Sequence, residues 1–203
     1  MQAQQNRDWT ANSKSTFATL GASNHTDKQR EVRDFYATPD VATRKLLEQE
    51  KFSEYIWECA CGARHISKVL EEYGYKVIDT DVVDRWGNEI CDFLTTAKDL
   101  RKGVSIITNP PYSKAQEFVE NALKFLCEGE KCAFLLRLQF LEGIKRRKLF
   151  DTNPPKTVYV FSKRVQCCIN GEFEKYKGVG SAIAYAWFVW QKGYKGDTII
   201  KWI

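Results

Sequence analysis

The chain has 203 residues, 43% of them hydrophobic and 13% aromatic, enough to bury a core without disulfide staples. Its formal net charge of +5 is compatible with a polyanionic partner but does not demand one. No run approaches the roughly 18 apolar residues of a membrane span. The N-terminal stretch "MQAQQNRDWTANSKS" has no apolar signal-peptide core, so a cytoplasmic protein with no membrane partner is expected.

Residues 1–33 are polar and sustain no period; they read as an arm, and residues 34–203 as one domain. Thr38-Pro39 opens a helical pattern carrying Val41, Leu46 and Leu47, with Thr38 the expected N-cap and Pro39 in the first turn. "YIWECA" (55–60) predicts a strand. "HISKVLEEYG" (65–74) predicts a helix with Ile66, Val69, Leu70 and Tyr73 on one stripe and Gly74 as its C-cap. "KVIDTD" (76–81) and "VSIITN" (104–109) predict two more strands. Ala115, Phe118, Val119, Ala122, Leu123 and Leu126 then keep a helical period. "KCAFLLRLQFL" (131–141) predicts a strand and "KRRKLF" (145–150) a short helix. "KTVYVFSKRVQCCI" (156–169) and "SAIAYAWFVWQKG" (181–193) read as two long strands joined by a polar loop over 170–180, and "TIIKWI" (198–203) as a last strand. Short apolar strands alternating with helices predict an α/β protein. Its open sheet should be mainly parallel, helices should lie on both faces, and the two long strands should add an antiparallel pair.

Two places carry chemistry. In "WECACGARH", Glu58 ends a strand, Gly62 makes a turn into a helix, and Asp81 ends the next strand 19 residues later. A glycine turn with an acid about 20 residues on suits a nucleoside ligand at the carboxyl ends of a doubly wound sheet. An acid beside the turn would repel a pyrophosphate but suits a cationic amino-acid group, which favours S-adenosylmethionine (AdoMet) over NAD. In "SIITNPPYSKAQEF", a buried strand runs into Asn109-Pro110-Pro111-Tyr112. Neither proline can donate to a ladder, so the strand stops there. The Asn109 side-chain oxygen and the Pro110 carbonyl then form a rigid pair of acceptors beside the Tyr112 ring. Such a pair suits a planar group bearing an NH2, an adenine amine or a side-chain amide. Accepting both of its N–H bonds concentrates electron density on nitrogen and prepares it to attack a methyl group.

With these residues in order, the chain resembles the AdoMet-dependent amino-methyltransferases, and most of all the N6-adenine DNA methyltransferases of the small phage and prophage type. The resemblance spans roughly residues 34–193 and rests on Glu58 with Gly62, Asp81, "DFL" (92–94), "NPPY" and the upstream "DFYATPDVATRKLL". It implies a Rossmann-like fold with a mainly parallel seven-stranded sheet and an antiparallel C-terminal strand pair. It further implies that Glu58 and Gly62 hold the methionine part of AdoMet and Asp81 its ribose. Asp92 and Phe93 would meet its adenine, while Tyr36, Thr38 and Pro39 close over the methionine end beside Asn109. Asn109, Pro110, Pro111 and Tyr112 would hold an adenine flipped out of DNA, with Phe161 a second aromatic against it. One departure from the family pattern is Arg64, which stands where a second glycine is usual. "NPPY" also occurs in methyltransferases of RNA bases and of protein glutamine, and a non-catalytic binding module on this fold is a further alternative.

The remaining features are less specific. Arg137, Lys145, Arg146, Arg147 and Lys148 gather after a strand end on the presumed ligand edge, as phosphate contacts or as a solvated helix face. Cys59 and Cys61, and Cys167 and Cys168, lack a matching second pair at metal-ligand spacing, so no metal is expected. The two histidines, His25 and His65, build no hydrolase triad.

Overall fold

The computed structural model describes residues 36–97, 103–169, 171–174 and 183–203. The arm assigned to residues 1–33 lies outside them, as does most of the loop over 170–180. The described residues form an α/β fold around an eight-stranded sheet in the order β10-β7-β9-β6-β5-β2-β3-β4. Its strands are β2 (Tyr55–Glu58), β3 (Lys76–Asp81), β4 (Glu89–Ile90), β5 (Val104–Thr108), β6 (Lys131–Arg137), β7 (Thr157–Val160), β9 (Tyr185–Gln191) and β10 (Ile199–Trp202). A separate two-stranded ladder joins β1 (Tyr36–Ala37) to β8 (Cys168–Ile169). The helices are α1 (Asp40–Gln49), α2 (His65–Glu72), α3 (Ala115–Phe125) and α4 (Arg147–Thr152).

Of the seven pairings in the main sheet, five are parallel and two antiparallel, because only β9 runs against its neighbours. It lies between β6 and β7, antiparallel to both, while β10 pairs parallel to β7. The sheet therefore has eight strands rather than seven, and the C-terminal pair contains one reversed strand. The stretch 156–169 is not one long strand. The ladder ends at Val160, and the chain pairs again only at Cys168–Ile169, against β1. Its run of β-branched and aromatic residues hides that break.

The central strands are apolar on both faces because both faces are covered. All five residues of β5 are buried. One face packs Trp57, Ile106, Phe134 and Phe188 under α3 and α4. The other packs Ile56, Ile107, Leu135 and Trp187 under α1 and α2. The chain leaves β2 toward β3 and returns on its other side as β5. That reversal puts the glycine turn and the "NPPY" turn beside each other at the carboxyl ends of adjacent strands, where ligands of such sheets bind. No helix among the described residues is long and apolar enough to cross a membrane.

Candidate active site

Asn109 follows the last residue of β5, and its side chain is held from one direction only. Its Nδ2 donates to the Tyr36 carbonyl at 2.8 Å and to the Thr38 hydroxyl at 3.1 Å. A backbone carbonyl can only accept, so this pairing fixes which end of the amide is which. The other end, Oδ1, is buried and has no hydrogen-bond partner. An orphan buried acceptor is unusual and marks a place where a ligand donor fits. Thr38 does not cap α1 as its position in the sequence suggests. Pro39 takes the N-cap position without a side-chain cap, and the Thr38 hydroxyl serves Asn109 instead.

Tyr112 opens a 3-10 turn that begins when the Pro111 carbonyl accepts the Lys114 N–H at 2.8 Å. Its ring lies among Tyr36 at 6.0 Å, Tyr185 at 5.7 Å, and the Arg137 guanidinium at 4.8 Å from the ring centre. Burial pushes its phenol well above the usual value, so the ring is neutral and offers a flat face rather than a base. A cleft of about 140 Å³ opens there, lined by Tyr112, Leu136, Arg137, Gln139, Phe140 and Arg146. Tyr185, at the start of β9, is thus a wall of the ring cluster, a role that nothing in the local sequence marks. Phe161 lies just past the end of β7 and packs, partly buried, into the same core cluster as Tyr112. The ring neighbours of Tyr112 are Tyr36 and Tyr185.

At the neighbouring turn, Gly62 has φ 50° and donates its N–H to Asp81 Oδ2 at 2.9 Å, while Asp81 Oδ1 accepts the Val83 N–H at 3.0 Å. Each oxygen retains a lone pair for a ligand hydroxyl. Arg64 is the one non-glycine residue with positive φ among the described residues, at 63°, a conformation that costs a side-chain-bearing residue about 1–2 kcal/mol. Its guanidinium runs back along α2 to ion pairs with Asp79, at 2.6 Å, and Glu71. The backbone here therefore keeps the conformation a glycine would take, with the long side chain turned along the helix.

Glu58 is only 2% exposed. Its Oε2 accepts the Ser67 N–H at 2.9 Å and lies within hydrogen-bond reach of the Ser67 hydroxyl, which also meets Asp79 Oδ1. The carboxyl thus braces the first turn of α2 from inside. A hydroxyl has one hydrogen, so a hydroxyl between two carboxyls requires that one of them be protonated. Burial pushes Glu58 well above the usual carboxylate range, which makes it the proton holder, while Arg64 neutralises Asp79. A proton bound more tightly in the folded than the unfolded state makes stability fall as pH rises from the ordinary carboxyl value of 4.5 through the folded-state value. Glu58→Gln can place its amide oxygen to accept the Ser67 N–H and carries no titrating proton. Its stability relative to the natural chain should rise by about 1.4 kcal/mol per pH unit across that window. Denaturant melts at several pH values test this, and parallel curves for the two proteins would refute it.

Asp92 is exposed, with Oδ1 accepting the Leu94 N–H at 2.9 Å. Phe93 is 1% exposed, packed against Trp57, Phe118 and Phe125, so its ring has no face left for a ligand. Of the cations, Arg137 covers Tyr112. Arg146 donates to the Phe140 carbonyl at 2.8 Å and to the carbonyls of Gln139 and Glu142, Arg147 pairs with Asp151, and Lys145 is exposed. Arg146 is therefore a brace of the loop after β6 rather than a free phosphate contact.

No protein-family model and no curated protein matches the sequence. Solved structures match the fold. A Listeria monocytogenes protein assigned to the class I S-adenosylmethionine-dependent methyltransferases is similar with TM-score 0.58 at 14% identity, over 93% of this chain and 71% of that one. A Lactococcus lactis protein assigned as a hemolysin gives 0.57 at 12%, over 80% and 91%. The M protein of the type I restriction enzyme EcoKI gives 0.53 at 13%, over 81% of this chain and 45% of that one. At such identities the likeness defines the fold, that of the Rossmann-like class I methyltransferases.

Proposed function

We propose that the chain is a cytoplasmic methyltransferase that transfers the methyl group of AdoMet to the N6 amine of adenine in DNA. The observation that carries this reading is the Asn109 amide: its nitrogen is fixed by Tyr36 and Thr38, and its buried oxygen is left without a partner beside Tyr112. The Asn109 Oδ1 and the Pro110 carbonyl each accept one N–H of the target amine. Both acceptors then face the positive charge that develops on nitrogen as it takes the methyl group, and their preorganisation lowers the barrier. The flipped base stacks on Tyr112, which returns about 1–3 kcal/mol of the cost of leaving the duplex. Asp81 holds the ribose of AdoMet, Asp92 its adenine amine, and Gly62 with Tyr36, Thr38 and Pro39 its methionine end. When bound there, AdoMet supplies an electrophilic methyl group.

The test is tritium transfer from labelled AdoMet to unmethylated DNA, followed by digestion to nucleosides. Label should appear in N6-methyladenine. Its absence, in a preparation where a control enzyme works, would overturn the reading. The same digestion after incubation with RNA separates an RNA substrate. A failure to bind AdoMet at millimolar concentration by calorimetry would indicate a non-catalytic module.

A further inference from the structure

The loop after β6 holds one apolar side chain out in water. Ile144 is 92% exposed, beyond every other large apolar residue described. One exposed isoleucine is ordinary on a protein surface. What sets this one apart is how firmly and where it is held. Gly143 turns the chain with φ 121°, and Ile144–Arg146 form a short 3-10 turn. Arg146 ties that turn down by its bonds to the carbonyls of Gln139, Phe140 and Glu142 and lies over the Phe140 ring at 4.9 Å. Phe140 is itself 7% exposed and packed against Phe150 and Phe188. Arg146 and Phe140 are also walls of the Tyr112 cleft. The isoleucine is thus a rigid tip two residues from the cleft wall.

Around that tip the charge is mainly positive. Lys145, Arg147 and Lys148 are exposed beside it, Glu142 is an exposed acid just before the turn, and Asp151 pairs with Arg147. Cations flanking an apolar tip match a duplex, whose phosphates flank an apolar base stack. A base drawn onto Tyr112 leaves a gap in that stack, and apolar side chains stabilise such unstacked steps. We propose that Ile144 is the wedge that enters the duplex and fills the space vacated by the target adenine. Lys145 and Lys148 contact the phosphates on either side. The inference rests on the DNA reading given above.

A wedge is needed only where there is a stack to open, and the test uses that. Methyl transfer by the full chain is measured on an adenine-bearing duplex and on the same strand without its complement. Ile144→Ala should slow transfer to the duplex by about tenfold or more, the scale of an unstacking penalty. Transfer to the single strand should stay within about twofold, and Ile144→Leu should restore the duplex rate. Because the side chain is exposed, thermal melting of the variants should match the natural chain. An Ile144→Ala enzyme that keeps its duplex rate, or loses both rates equally, overturns the wedge while leaving the DNA reading standing. If the natural chain methylates neither DNA, the DNA reading fails and the wedge fails with it.

Discussion

Asn109→Ala should lower methyl transfer by about a hundredfold or more, the usual effect of removing one preorganised group aimed at developing charge. The substitution deletes the Oδ1 acceptor and also the two bonds that Nδ2 makes to Tyr36 and Thr38. These two losses are separable. The structural one leaves the Tyr36 carbonyl short of a donor and should cost about 1–3 kcal/mol of stability, read from denaturant unfolding. Thr38→Val removes only one of the anchors, so it should reduce transfer by a smaller factor while Oδ1 remains in place. AdoMet affinity, measured by calorimetry, should change little in Asn109→Ala, because the proposed contacts to the ribose and adenine come from β3 and the segment after β4. A variant within about threefold of the natural rate would show that the orphan oxygen is not the amine acceptor.

Phe93→Ala should be among the most destabilising single changes, about 3–5 kcal/mol. The ring meets Trp57 edge-on at 5.1 Å and lies 5.0 Å from Phe118 and 5.7 Å from Phe125, and the residue's carbonyl accepts the Asn121 amide at 2.6 Å. Truncation empties a space that three large rings frame and that the sheet cannot collapse to fill. Phe93→Leu, which keeps most of the volume, should recover most of the loss. If the ring instead lay against the adenine of AdoMet, Phe93→Ala would melt like the natural chain and lose cofactor affinity. Unfolding curves together with calorimetry on the folded fraction distinguish the two roles.

These two residues also show what the sequence made legible. The strand that becomes β5 announces itself by four apolar or β-branched residues and its proline stop, and α3 by its long helical period. From them alone the place of Asn109 at the ligand edge follows. Which of its atoms is free does not follow, because the partners that decide it lie more than seventy residues upstream and leave no local pattern. The same is true of the β1–β8 ladder. Two-residue strands carry no periodicity, and they form only because the folded sheet brings Tyr36 opposite Ile169. Motif order put Glu58 and Phe93 near the cofactor turn, but order along the chain says nothing of which way a side chain turns. Glu58 turns inward to Ser67, a residue whose role could have been suspected from a hydroxyl in the first turn of α2. Phe93 alternates with the exposed Asp92, a pattern that favours burial.

The position of β9 has a consequence for how the protein is made. This strand follows both β6 and β7 in the chain, yet six of its seven residues are buried and it separates the two. A nascent chain that has not reached Tyr185 therefore carries two apolar strand edges with nothing between them, an arrangement that invites pairing with other chains. Tyr185, at the start of β9, is also a wall of the ring cluster around Tyr112. The ring cluster around Tyr112 and the β6–β9–β7 pairing are completed by the same segment, so a nascent chain that has not reached it has neither, and loss of β9 would remove both together.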